Sequence, residues 1–370
     1  MKALLFANTA WYLYNFRLAL AQALRARGYE VVLVSPPGEH SARLEAHGFR
    51  WLPFPLSRKG VNPLRELLTI YRLWKLYRSE KPDVVHHFTI KCVLYGSLAA
   101  RLAGVKGVIN AVTGLGYVFI STNYKTLPLQ WVTRVFYMLA LQNSQVVFQN
   151  PDDKDGFIRE GLVSIERTFL IRGSGVDINR FFPSPEPEDT PVVILPARLL
   201  WDKGVGDFVE AARLLLSKGI QARFVLVGDP DPENPSTVPL AVVEKWRQEG
   251  VIEWWRWQED MPAVYAQANI VCFPSHREGL PKSLIEAAAC GRAIVAADVP
   301  GSREVVRNGE NGFLVPVSDV QELAAKLWLL LLDPSLRLTM GKNGRRLIEE
   351  NFASDLIIDQ TIAIYQQIQH

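Results

Sequence analysis

Two cations and two carboxylates are the groups whose types and spacing suggest chemistry first. Arg198 and Lys203 stand five residues apart in Pro196-Ala-Arg198-Leu-Leu-Trp-Asp-Lys203-Gly204. Arg offers a planar fork and Lys a point charge, and together they suit an anionic ligand. Glu278 and Glu286 stand eight apart in Phe273-Pro-Ser-His-Arg-Glu-Gly-Leu-Pro-Lys-Ser-Leu-Ile-Glu-Ala287. A strand is expected to end at Phe273 and a helix to begin near Pro281, where proline's missing N–H is not needed. The free N–H groups of Leu280, Lys282 and Ser283 then make an anion site. The two carboxylates are too far apart to act on one atom. They could hold two ends of an extended ligand, or simply be solvated.

Other candidates are less specific. The loop Asn8–Arg17 is rich in aromatics such as Trp11, which could shape a second ligand's pocket or belong to the core. Gly114 belongs to the glycine-rich Thr113-Gly114-Leu-Gly116. His86 and His87 end a strand; His87 is taken as a candidate catalytic group, against the alternative of a structural histidine. Trp254 and Arg256 could read a base or be core and surface. Asp229-Pro-Asp231 looks like a metal-binding acidic pair but sits in a proline-rich loop and is read as a turn, so no metal ligand is expected.

The loop and helix carrying Glu278 and Glu286, continued by Ala-Cys-Gly-Arg-Ala-Ile-Val, Asp298-Val-Pro-Gly301, Glu304 and Asn311-Gly312, resemble the signature of glycosyltransferase family four. The Glu-x7-Glu motif matches residue for residue, and Arg198 and Lys203 match the family's cation pair. The resemblance is most specific over Pro196 to Val315. It implies the GT-B fold and a retaining transfer of a hexose or N-acetylhexosamine from a nucleotide diphosphate, with no cofactor beyond the donor itself. By it, Glu278 lies at the donor sugar, Glu286 at the ribose, and Arg198 and Lys203 at the diphosphate. Gly279, Leu280, Pro281, Lys282, Gly114 and Arg256 complete the donor side; Trp11, Asn15, Arg17 and Thr113 face the acceptor. The first loop is most similar to a bacterial branch that extends lipid-linked oligosaccharides with N-acetylhexosamine or N-acetylgalactosamine, which implies a UDP-sugar donor and a lipid-diphosphate-linked acceptor. Thr113 stands where many members carry a histidine, a departure that bears on the sugar contact. The rivals are a GT-B sugar-nucleotide epimerase, a non-catalytic nucleotide-sugar-binding protein, and a dinucleotide-dependent oxidoreductase. The last would need a glycine fingerprint that Asn8–Arg17 lacks.

The elements that must position these residues alternate. Short β-branched runs at Lys2–Ala7, Glu30–Val34, Arg50–Phe54, Asp83–His87, Gly107–Val112 and Gln145–Phe148 are separated by helical periodicity, for example Asn15–Arg27, Pro63–Ser79 and Leu127–Gln142. The series resumes at Val192–Pro196 and runs to Gly312–Val315. This pattern predicts an α/β chain of two doubly wound Rossmann-like domains facing across a cleft. Expected boundaries are 1–180 for the acceptor domain and 181–350 for the nucleotide-sugar domain. The last helix, 351–370, is expected to pack back toward the first. Phe182–Pro191, with four prolines, reads as the linker.

At 370 residues two domains are expected. Three cysteines, Cys92, Cys272 and Cys290, have no zinc or redox spacing, which suggests a reducing, cytoplasmic compartment. No apolar run approaches the roughly 20 residues that span a bilayer, and the N-terminus reads as a strand rather than a signal peptide. Residues 1–175 carry 22 Lys and Arg against 11 Asp and Glu, whereas residues 176–370 carry 19 against 27. The basic half is expected to face something anionic: a phosphorylated acceptor or the inner face of the cell membrane, rather than nucleic acid, for which no module is present. In Pro63–Ser79, Arg65, Arg72, Lys75 and Arg78 interleave with aromatics, which suits a peripheral membrane contact as well as an ordinary solvated helix face.

Overall fold

A computed structural model describes residues 1–57, 62–113 and 127–368, with the side chains of 127–132 left aside. The chain divides into two units: Met1–Ser174 together with Asp355–His370, and Gly175–Ser354.

Unit 1 holds a seven-stranded sheet in the order β3-β2-β1-β4-β5-β6-β7. These strands are β1 (Lys2–Phe6), β2 (Glu30–Ser35), β3 (Arg50–Pro53), β4 (Val84–Phe88), β5 (Gly107–Val112), β6 (Gln145–Phe148) and β7 (Thr168–Leu170). Unit 2 holds six strands in the order β10-β9-β8-β11-β12-β13. Here β8 is Val192–Pro196, β9 Arg223–Val227, β10 Glu253–Trp254, β11 Ile270–Phe273, β12 Ala293–Ala297 and β13 Gly312–Val315. Every pairing is parallel. Sheets of this kind are covered by helices on both faces, so their strands read as continuous Val/Ile/Leu runs. In unit 2, Leu195, Leu226 and Val295 face one core, and Ile194, Val225 and Ile294 face the other. Strand order reverses between β1 and β4 in unit 1 and between β8 and β11 in unit 2. In such sheets ligands bind beyond the carboxyl ends of the strands at this switch point.

Two features depart from sequence expectation. Strand β7 was not anticipated; at three residues it carries no periodicity. The proline-rich segment is not a free linker but a strap on unit 2. Glu186 pairs with Arg337 at 2.8 Å and both side chains are nearly fully buried. Arg292 donates to Ser184 Oγ, and Asn269 Nδ2 to Glu186. Prolines hold this segment extended, so its carboxylate and carbonyls meet cations from elsewhere in unit 2. The helix Ser354–Gln367 lies largely in unit 1, where Tyr365 is fully buried beside His86. Cys92, Cys272 and Cys290 are all buried free thiols.

Candidate active site

The loops after β8 and β11, which flank the switch point of unit 2, are locked together. After β8, Leu200 is extended, Trp201–Lys203 forms one 3-10 turn, and Gly204 turns the chain with φ +70° into the helix Val205–Ser217. That geometry brings the backbone of Gly204 against Pro274, at the start of the second loop. His276 N–H donates to Asp202 O at 2.9 Å, and Ser275 Oγ lies 3.2 Å from the same oxygen. Gly301 N–H donates to Glu278 O from the far side, at 3.1 Å.

Held in this frame, Lys203 Nζ forms an ion pair with Glu278 Oε1, and Ser275 Oγ donates to the same oxygen at 2.6 Å. Both charged side chains are mostly buried, so solvent screens their attraction less than that of a surface pair, against the cost of desolvating both charges. The expectation that Lys203 and Glu278 belong to one site therefore has a geometry. Arg198 follows β8 on the same rim, more exposed, and pairs with Asp231 at 2.8 Å. Asp231, read from sequence as a turn residue, is thus the counter-ion of Arg198. Its partner Asp229 accepts from Trp257 N–H at 3.3 Å. Among the described residues no group of three or more His, Cys, Asp or Glu is arranged to hold a metal ion.

Gly279 and Leu280 lead to the helix Lys282–Ala289, which starts one residue later than expected, after an extended Pro281. The first N–H groups of such a helix have no carbonyl one turn back and attract an anion. Glu286 is buried one turn on. Tyr265 OH donates to its Oε2 at 3.3 Å, and Lys282 Nζ lies 3.9 Å from its Oε1. Burial raises the Glu286 carboxyl above its ordinary value, partly opposed by Lys282 and Tyr265. Tyr265 and Ser275 escaped the sequence reading. Ser275 could have been flagged by its place three residues before Glu278, whereas Tyr265 gives no local signal.

His276 Nε2 meets Asp207 at 2.9 Å, tying the second loop to the first turn of Val205–Ser217. The Asp207 carboxylate holds this histidine above the ordinary 6.5, against a smaller lowering from burial. A raised folded-state value means that the tie is fully present below pH 6.5 and is lost as pH rises through the folded value. An NMR titration should place the His276 imidazole above 6.5, and Asp207→Asn should return it to 6.5 or below. Identical titrations in the two proteins would refute the link.

Where a base contact was expected, Arg256 stands at φ +55° over the Trp254 ring, 4.3 Å from its centroid. Trp254 Nε1 donates to Gly228 O at 2.7 Å and Gly228 N–H to Arg256 O at 2.8 Å. Trp254 therefore spends its donor on the fold, and the exposed Arg256 guanidinium is the freer group.

Two first-unit expectations are corrected. His87 is fully buried, with Nδ1 on Asn110 Oδ1 at 2.9 Å and Nε2 on Tyr77 OH at 3.0 Å. Burial pushes its pKa down to about 4, and with both ring nitrogens engaged it stands as a neutral internal strut. His86 is equally enclosed, bonded to Tyr365 OH and pushed down by burial and then by Arg17. Arg17 is the second correction. The turn Leu13–Arg17 is a π-helix that carries Arg17 inward, over the Phe88 ring at 4.3 Å, with Nη2 on Tyr12 OH at 3.0 Å. It underpins the loop after β1 rather than lining it. Trp11 stays exposed, and Asn15 is half-buried and donates to Trp11 O at 3.0 Å. Thr113 is half-buried just after β5, and Gly114 lies outside the described residues.

Residues 177–347 match the family model of glycosyl transferases group 1, and residues 2–150 match the glycosyl transferase 4-like model. The chain is a glycosyltransferase built from these two family domains. This glycosyltransferase is 29% identical to the N,N'-diacetylbacillosaminyl-diphospho-undecaprenol alpha-1,3-N-acetylgalactosaminyltransferase of Campylobacter jejuni, over 96% of each chain. It is 26% identical, over 83% of each, to the UDP-Gal:alpha-D-GlcNAc-diphosphoundecaprenol alpha-1,3-galactosyltransferase of Escherichia coli. Among solved structures, Anabaena Alr3699/HepE in complex with UDP superposes with TM-score 0.80 at 20% identity, covering 99% of this chain and 100% of that one. That likeness establishes the shared fold.

Proposed function

We propose that this glycosyltransferase moves an N-acetylhexosamine or hexose from a UDP-sugar to a lipid-diphosphate-linked glycan, with retention of anomeric configuration, in the synthesis of a bacterial surface glycan. The observation that carries the reading is the Lys203–Glu278 pair at the switch point, beside a helix N-terminus and Arg198. Its chemistry fits a sugar diphosphate: cations and N–H groups for the departing diphosphate, a carboxylate for sugar hydroxyls.

In this reading the anomeric C–O bond to the diphosphate breaks first. Arg198, Lys203 and the first-turn N–H groups of Lys282–Ala289 stabilise the charge that develops. The acceptor hydroxyl attacks from the face the diphosphate leaves, and its proton passes to a departing phosphate oxygen. Glu278 orients the donor sugar and Glu286 accepts hydrogen bonds from the ribose. Gly279, Leu280, Pro281, Lys282 and Arg256 complete the donor side, and Trp11, Asn15 and Thr113 face the acceptor. No further cofactor enters these steps. The names of the Campylobacter and Escherichia relatives support the lipid-linked acceptor, and UDP in the Anabaena structure supports the donor. Such an acceptor places the enzyme peripherally at the inner face of the cell membrane.

The test is a thermal-shift panel with UDP, GDP, ADP and NAD. At a hundred times its dissociation constant, UDP should raise Tm by about 5–10 °C. Turnover of UDP-N-acetylhexosamine with a short-chain lipid-diphosphate sugar should then give an axial-linked product by NMR. A response to NAD alone, or an inverted product, would sink the reading.

A further inference from the structure

The helix Pro63–Glu80 carries apolar residues on two opposite faces. Leu73 and Tyr77 pack into the core of unit 1. On the other side Leu64, Leu67, Leu68 and Tyr71 are 78%, 63%, 44% and 50% exposed. Their spacing of 0, 3, 4 and 7 puts them in one stripe. A crossover helix needs only the inner stripe, so the outer one has no role in folding unit 1.

The same outer stripe continues into cations. Lys75 and Arg78 extend it toward the C-terminus, and Arg65 and Arg72 flank it, all exposed. Lys75 Nζ lies 5.8 Å from the Tyr71 ring centroid. The two acids of the helix are engaged elsewhere, Glu66 with Lys91 and Glu80 with Arg50 and Lys2. No carboxylate among the described residues forms an ion pair with Arg65, Arg72, Lys75 or Arg78. A protein partner would need one acidic groove matched to both halves of the stripe. A bilayer surface with anionic headgroups meets both at once, taking leucines into the acyl boundary and cations at headgroup level.

Position adds a functional reason. The helix starts with Asn62 capping Leu64 and Arg65 and with Pro63 in its first turn. Lys91, in the first turn after β4, pairs with Glu66 at 2.8 Å and donates to Ser57 O at 2.9 Å. The exposed leucines therefore lie at the carboxyl edge of the unit 1 sheet, the edge that carries the loop of Trp11 and Asn15. We propose that the outer face of Pro63–Glu80 docks unit 1 on an anionic phospholipid bilayer and so sets that edge at headgroup depth. Only this last consequence rests on the lipid-linked acceptor; the docking surface stands on the helix itself.

The experiment is co-sedimentation of the full chain, without substrate, with vesicles of phosphatidylcholine alone or with 30% phosphatidylglycerol (about that fraction gives a cell-like surface potential). Binding should favour the anionic vesicles and weaken with salt. The variant Arg72→Glu, Lys75→Glu, Arg78→Glu should lose at least about a hundred-fold in affinity, roughly five-fold or more per cation. The variant Leu64→Ser, Leu67→Ser, Leu68→Ser should lose at least about ten-fold. All replaced groups are exposed, so Tm should be unchanged in both. Transfer to a short, water-soluble acceptor should be unaffected, while transfer to a vesicle-borne acceptor falls. Failure of the wild type to bind anionic vesicles, or equal binding by both variants, overturns the docking surface. Loss of turnover on the soluble acceptor in the wild type would instead count against the proposed function.

Discussion

Lys203→Ala is expected to lower kcat/KM for sugar transfer by about 100- to 1,000-fold, the scale seen when a preorganised charge-stabilising group is removed, with a moderate fall in Tm because Glu278 is left mostly buried without its cation. Lys203 Nζ holds Glu278 in the mostly buried pair after β8 and β11. Removing the ammonium deletes a cation from the developing diphosphate charge and releases the carboxylate that orients the sugar. Ser275 and the Asp202 and Gly301 backbone contacts still hold the loop, so the fold survives. Glu278→Ala should cost a comparable factor. In the double variant the losses should fall well short of multiplying, because the two residues act as one unit. Steady-state kinetics beside thermal melts of all three proteins decide it. Near-normal turnover in both single variants would remove Lys203 and Glu278 from the chemistry. A collapse of Tm would make the pair structural.

Gly204→Ala is expected to be severely destabilising. Gly204 has φ +70°, and a Cβ there would lie 2.1 Å from Pro274 O. The side chain must push away the backbone that leads to Glu278, or the turn that carries Lys203 must unwind. A left-handed alanine alone costs about 1–2 kcal/mol, and the clash with a fixed carbonyl takes the loss into the exceptional range of about 4 kcal/mol or more. Gly219→Ala is the control: φ there is +79°, but nothing lies within 4 Å of the added carbon. It should show the left-handed penalty alone and retain activity. Urea unfolding of the two variants would separate them. Equal losses would mean that the Gly204–Pro274 approach does not join the two loops.

Acidic and basic residues at fixed spacing, and the alternation of strands with helices, were legible because each is local. The six strands expected in unit 1 all lie within a residue of their observed ends, since a parallel strand buried on both faces writes its own Val/Ile/Leu run. Lys203 five residues after Arg198, and Glu278 just before a helix start, are likewise statements about one loop each. That these two loops meet is a property of β8 lying next to β11, and only the sheet order decides that.

The misreadings share that origin. His87 looks like a reactive histidine at a strand end, yet its partners Tyr77 and Asn110 arrive from another helix and another strand. Arg17 turns inward because a π-turn places it on Phe88, 71 positions away in the chain (roughly the distance at which no periodic pattern speaks). Asp231 becomes the partner of Arg198 across β8 and β9, and the prolines of 182–191 become a strap because Arg337 and Arg292 wait beneath them. The sequence by itself determined which segments would be strands and helices, and which charged groups were available for chemistry. Tertiary structure alone decided which of those charges are paired, buried or free. Periodicity records a residue's own neighbours, while a counter-ion or a hydrogen-bond partner is chosen by packing between segments far apart in the chain.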